Sequence, residues 1–268
     1  MMRVIAWFFF WLLAVGNAVA QTPRSVFLEE LTSPEVAAAI ASGTTTVIIP
    51  IGGTEQSGPH LSLGKHNLRV RVLAGRVASQ LGNALVAPVV AYVPEGEIDP
   101  PTEHMRFAGT ISIPVPVFQA LLEGATRSFW QQGFLDVVLV GDHGGYQAAL
   151  KAVATRLKPP PRHRDARVHF VEAYYRASQA PYNALLKAHG LSEAQIGIHA
   201  GSADTALQLA VAPASVRPDK FVQAARDGPA GGTRGDPRAA TAALGQAGAE
   251  QIVDATVAAI QAAVSSRR

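Results

Sequence analysis

Short β-branched runs closed by glycine alternate along the chain with apolar residues at helical spacing. Residues 44–52, TTTVIIPIG, form a continuous apolar run of the kind that lies buried on both faces of a parallel sheet. Ahead of it, Ser33, Pro34 and Glu35 make a helix start, with Gly43 as the stop. Leu68, Val72, Leu73, Val77 and Leu81 recur at helical spacing up to Gly82. Residues 84–93 (ALVAPVVAYV) read as a strand, 94–101 (PEGEIDPP) as a loop and 109–114 (GTISIP) as a short strand. Residues 117–132 read as a helix closed by Gly133, and 134–142 (FLDVVLVGD) as the clearest buried strand. A helix over 146–158, a strand over 167–175 (RVHFVEAYY), a helix over 203–211 and an alanine-rich helical tail over 238–264 follow. Strands alternating with helices predict an α/β fold in which helices cover a largely parallel sheet. In such folds, sites lie beyond the C-terminal ends of strands.

The first twenty residues depart from this pattern. They carry Arg3, an apolar core from Val4 to Val15 and the small-residue ending Ala18-Val19-Ala20, the layout of a cleaved export signal. A dozen apolar residues fall short of the roughly 20 a membrane span needs. The expectation is an exported, periplasmic or secreted protein with one domain over residues 21–268 and no stable membrane association after cleavage. The chain has no cysteine, which excludes disulfides and thiolate metal sites. A metal would therefore be held by His, Asp and Glu, a donor set suited to zinc, manganese or iron. The net charge is only +3. The one dense basic stretch, residues 156–167, is broken by prolines and has no interleaved aromatics, so nucleic acid is not an expected partner.

Polar clusters fall where the strands end. Glu55, His60 and His66 follow the first strand on a turn rich in glycine and proline. A carboxylate and imidazoles can ligate a divalent ion, although histidines on loops more commonly face solvent. Asp142-His143-Gly144-Gly145 closes the buried strand, and its glycines permit close backbone approach. His199 and Asp204 flank Gly201 at a helix start, where Ser202 or Asp204 could equally cap the helix. His104 lies in a loop and suits either substrate contact or solvent. Ser57 lies outside any G-x-S-x-G elbow. Glu95, Glu97 and Asp99 are glycosidase candidates in number only, because nothing in the sequence fixes their separation.

Taken in order, these clusters resemble the creatininase (creatinine amidohydrolase) family. PIGGTEQSGPHLSLGKHN, beginning at Pro50, is similar to the family's P-x-G-S-x-E-Q-H-G-P-H-L-P-L-x-x-D. Glu103-His104 with Phe107-Ala108-Gly109-Thr110, then VGDHGGY, HAGSADT and GDPRAATAALG match further family segments in order. The resemblance implies a three-layer α/β/α domain, assembly into homo-oligomers such as hexamers, divalent metals, and hydrolysis of a C–N bond in a small, often cyclic amide by metal-activated water. It makes Glu55, His66 and His143 the implied metal ligands. His199 becomes the implied proton shuttle with Asp204 orienting it, and His60, His104, Gly144 and Gly145 the implied substrate contacts. Two departures stand out. Ser57 replaces a second-metal histidine, and His66 replaces an aspartate that bridges two ions, which an imidazole cannot do in that way. The expectation is a mononuclear site, with zinc ahead of manganese or iron. The alternatives are an inactive ligand-binding or assembly member, and a mononuclear lyase or isomerase.

Overall fold

The computed structural model describes residues 25–265; the expected export signal lies outside them. Four parallel strands, β1 (Thr46–Ile51), β2 (Ala84–Val86), β3 (Asp136–Gly141) and β4 (Arg167–Phe170), lie in the order β2-β1-β3-β4. All six residues of β1 and all six of β3 are buried, as their unbroken apolar runs require. Alternate side chains serve opposite faces. Ile48, Val138 and Val140 join a core with helices Lys65–Leu81, Ser202–Val211 and Ala242–Ser265. Val47, Ile49, Ile51, Val137 and Leu139 join a second core with helices Val115–Gln132 and Gln147–Arg156. The result is the expected α/β/α layering, and no helix among the described residues is long and apolar enough to cross a membrane.

Some elements differ from their sequence-based expectation. Glu35 accepts from the N–H of Thr32 at 2.7 Å, so Thr32 rather than Ser33 precedes the first helix. The second strand is only three residues long, because Pro88 interrupts the run. Residues 109–114 are not a sheet strand. Their N–H groups bond to loops instead, Ile111 to the Thr54 carbonyl and Ile113 to that of Val93. The helix expected from Leu68 begins at Lys65, which places Lys65 and His66 in its first turn.

Since β1 lies between β2 and β3, the chain leaves it in opposite directions, and a crevice opens beyond the C-terminal ends of β1 and β3. The buried Tyr146 hydroxyl fastens that end. It donates toward the carbonyls of Ile51 (2.8 Å) and Gly52 (2.6 Å), and it accepts from the N–H groups of Asp142 (3.1 Å) and His143 (3.0 Å).

Candidate functional site

A cavity of about 540 Å³ opens at the crevice and is lined by Lys65, His66, His104, His143, His199 and Asp204, among others. That volume suits a small molecule. Glu55 is fully buried beneath it, in contact with the lining residues Lys65, His66 and His104. Glu55, Glu95, His104 and His143 each offer one ligand atom, and these atoms lie within 4.8 Å of one another. Glu55 Oε2 and both Glu95 oxygens are buried without a hydrogen bond of ordinary geometry. Their neighbours are imidazole nitrogens: Glu55 Oε2 lies 3.1 Å from His104 Nε2 and 3.5 Å from His143 Nε2, and Glu95 Oε2 lies 3.3 Å from His143 Nδ1. Two buried carboxyls this close cannot both ionise cheaply unless something cationic meets them. Two carboxylates and two imidazoles are a donor set for a divalent ion such as zinc, manganese or iron. The residues therefore fit one such ion.

The electrostatics agree. Burial would raise the Glu55 carboxyl, but Lys65, His66 and His143 hold it well below the usual carboxylate range. Burial, reinforced by the Glu55 charge, pushes Glu95 up to about 10. Burial lowers His143 to about 4, leaving it a neutral imidazole with a lone pair to offer. Gly53, at φ +151°, passes so close to Glu95 that a Cβ there would strike Glu95 Oε1, so a glycine is required.

Of the expected ligands, Glu55 and His143 come together in this group and His66 does not. His66 Nε2 lies 2.8 Å from Glu55 Oε1 and its Nδ1 lies 2.6 Å from Asp142 Oδ2, so both ring nitrogens face carboxylates. Burial and Lys65 oppose its protonation, but Glu55 and Asp142 prevail and raise its pKa. Arg69 Nη2 also lies 3.2 Å from Nδ1, so the ring is held between two carboxylates and a guanidinium. Asp142 is itself bound by Arg69 Nε at 2.9 Å and by the Tyr174 hydroxyl at 2.8 Å.

His199 is held differently from expectation. Its Nε2 donates to the Gln56 carbonyl at 2.9 Å, which leaves Nδ1 unprotonated and 3.7 Å from Glu55 Oε1. Burial, then the Lys65 charge, lowers its pKa to about 3. Asp204 does not orient it. Asp204 Oδ2 accepts from Ala200 N–H at 2.9 Å and from Lys65 Nζ at 3.2 Å, and Oδ1 accepts from Arg69 Nη1 at 2.9 Å. Among the described residues, the two non-glycine residues with positive φ, Glu103 (43°) and Ala200 (54°), adjoin His104 and His199. Such strain gathers where side chains are held for a purpose.

The expected substrate contacts divide. His104 and Gly144 line the cavity. His60 does not: it is fully buried, with Nε2 3.0 Å from Thr205 Oγ1 and its ring edge-on to Phe221, a packing role. Gly145 N–H is engaged with His143 Nδ1 at 3.3 Å, so it helps set the imidazole rather than facing substrate. Ser57 is fully buried, and its hydroxyl has no hydrogen-bond partner.

Sequence reasoning passed over Lys65 and Arg69, and it left Glu95 undistinguished among three acids. One signal was present for the first two. Lys65, His66 and Arg69 put cations near the N-terminus of a helix with no acid in its first turn, against the helix dipole. Such an arrangement requires carboxylates from elsewhere, here Glu55, Asp142 and Asp204.

A family model described as creatinine amidohydrolase matches residues 29–260. The mycofactocin precursor peptide peptidase of Mycolicibacterium smegmatis is 38% identical over 119 residues, covering 42% of this chain and 44% of that protein. The chain thus spans less than half the length of that relative. A mutant creatininase complexed with creatine superposes with a TM-score of 0.72 at 23% identity, covering 90% of this chain and 99% of that one. A manganese creatininase structure gives 0.66 at 24% identity, covering 89% of this chain and 98% of that one. At these identities the structural likenesses establish the fold, and the family match covers most of the chain: the protein belongs to the creatininase family.

Proposed function

We propose that this chain is an exported metal-dependent amidohydrolase that cleaves a C–N bond of a small, possibly cyclic amide. The observation that carries the reading is the convergence of the buried carboxyls of Glu55 and Glu95 with the imidazoles of His104 and His143 beside an open cavity. A divalent ion held by these four residues would supply Lewis acidity, polarising a carbonyl and acidifying water. Zinc remains the first expectation, with manganese or iron as alternatives.

The chain's own groups do the rest. His199 Nε2–H is fixed on Gln56, so the bare Nδ1 is the atom left to exchange a proton with water and the leaving nitrogen, with burial and Lys65 keeping the ring neutral at rest. Gln56 Nε2 lies 3.1 Å from His104 Nδ1 and 3.2 Å from His199 Nε2, which spaces the two rings. Tyr175 and Leu207 on the cavity wall would offer apolar surface beside an amide. Export rests on the pattern of residues 1–20, and N-terminal sequencing of the secreted protein should begin after Ala20. Homo-oligomer assembly rests on family membership alone and is read by light scattering.

The test combines metal analysis with turnover. The purified protein, loaded with zinc or manganese and desalted, should retain metal and hydrolyse members of a cyclic and linear amide library. His199→Gln should keep the metal and lose roughly 10²–10⁴-fold in kcat. A chain that retains no metal after loading would be a ligand-binding or assembly member of the family. Metal retention with turnover only of non-amide substrates would make it a lyase or isomerase.

A further inference from the structure

The two oxygens of Glu55 meet different surroundings. Oε2 faces the imidazoles of His104 at 3.1 Å and His143 at 3.5 Å. Oε1 is engaged by protein side chains, the Lys65 ammonium at 3.2 Å and His66 Nε2 at 2.8 Å. The same Lys65 ammonium lies 3.2 Å from Asp204 Oδ2, so it bridges two carboxylates that come from different elements. Its side chain is only 1% exposed although it lines the cavity. Taking an ammonium out of water is expensive, and the expense is met only where a fixed anionic pocket receives it. Here the pocket is Glu55 Oε1 and Asp204 Oδ2, with Arg69 covering Asp204 Oδ1 at 2.9 Å. Two carboxylates converging from different elements on one compact point charge is also how a protein grips a divalent ion.

We propose that the Lys65 ammonium is a permanent second cation of this centre, filling from the protein's own side chain the place between Glu55 and Asp204 that a second divalent ion would otherwise take. Glu55 is then the shared carboxylate, with Lys65 on Oε1 and the metal position on Oε2. The centre loads a single ion, on the side of Glu95, His104 and His143. The ammonium fixes that number because two cations brought close together repel unless anionic oxygen is shared between them. The inference rests on the metal reading above, in that it takes the Oε2 side as the loaded one.

The experiment counts ions per chain by elemental analysis and calorimetric titration with Mn²⁺ and Zn²⁺. The wild type should hold about one, Lys65→Met about two, and Lys65→Arg, which keeps the charge, about one. Two ions in the wild type, or no gain in Lys65→Met, would overturn the role of Lys65 while leaving the metal reading intact. No ion in the wild type but one in Lys65→Met would support Lys65 as a cation surrogate and sink the metal reading. No ion in either would sink both. If Lys65→Met does not fold, electron paramagnetic resonance of the wild type at saturating Mn²⁺ decides. An uncoupled Mn²⁺ spectrum supports the proposal, and the spectrum of an exchange-coupled pair overturns it.

Discussion

Glu95 shows how one carboxyl can carry two states of the site. With no cation beside it, burial and the neighbouring Glu55 charge hold it protonated, with a pKa pushed up to about 10. A divalent ion would favour the ionised form, so loading should release about one proton per chain near neutral pH. Calorimetry in buffers of differing ionisation enthalpy reads that proton directly. Glu95→Gln should leave the fold intact and, without metal at pH 8, raise stability by roughly 2–4 kcal/mol, since it removes a group that is costly to ionise there. It should also weaken metal binding by more than the roughly 10–100-fold typical of losing a residue that merely supports a ligand. His143→Ala should abolish binding while keeping the fold, because His143 follows the end of β3 rather than filling its middle.

Between elements, the site depends on how the ends of β1 and β3 are held level. Tyr146→Phe removes the hydroxyl that receives the N–H groups of Asp142 and His143 and that reaches the carbonyls of Ile51 and Gly52. Leaving buried backbone groups unpaired should cost about 2–4 kcal/mol in urea unfolding, with metal affinity reduced because Glu55 and His143 lose their common anchor. On the opposite layer, the helix Ala242–Ser265 packs closely on Ser202–Val211, which carries Asp204. A Cβ at Gly245 would strike the Ala206 carbonyl, and the two helices would have to separate. Gly245→Ala should therefore destabilise by about 1–3 kcal/mol despite the better helix propensity of alanine. Circular dichroism melts check the sign.

For the whole molecule, buried ionisable groups set a pH optimum for the metal-free protein. His60 and His143 are lowered by burial to about 4, and His199 by burial and Lys65 to about 3. Between about pH 6.5 and pH 4 the unfolded chain binds protons at these positions and the folded chain does not, so stability falls as pH drops through that window. Glu95 acts the other way. Its raised folded pKa gives stability that is complete below the ordinary carboxylate value of 4.5 and is lost as pH rises through about 10. His66, also raised, contributes in the same sense, its stabilisation fading as pH rises above 6.5. These three histidines, with His104 and His169 lowered in the same direction by burial, outweigh one carboxyl on the acid side, and they do not offset Glu95 and His66 on the alkaline side. Thermal melts with chelator across pH 4.5–9 should therefore peak near pH 6.5, and a monotonic rise to pH 9 would contradict the buried state of Glu95.

Much of this was legible in the residues themselves. The continuous apolar runs at β1 and β3, closed by glycine, determine buried parallel strands, because such runs leave no polar face to solvent. The helical spacing from Leu68 to Leu81, the ordered motifs of the family resemblance and the lack of cysteine similarly narrow the fold and the donor types. Glu55, His104 and His143 were singled out because they stand at strand ends or in matched segments. Other assignments depended on three-dimensional convergence, which spacing along the chain does not encode. Among three acids in residues 94–101, only Glu95 turns inward, 3% exposed, while Glu97 and Asp99 face solvent. His66 sits eleven residues after Glu55, at the position expected of a ligand, but its nitrogens are spent on Glu55 and Asp142, the latter carried by a strand end 76 residues away. His60 lies in the most motif-rich stretch and still packs inside, against Thr205 and Phe221. Lys65 reads as an ordinary helix-start lysine until Glu55 and Asp204 close on it. The charge on a side chain belongs to its residue type, but which opposite charge it meets, and whether water is excluded there, is decided only when distant elements pack.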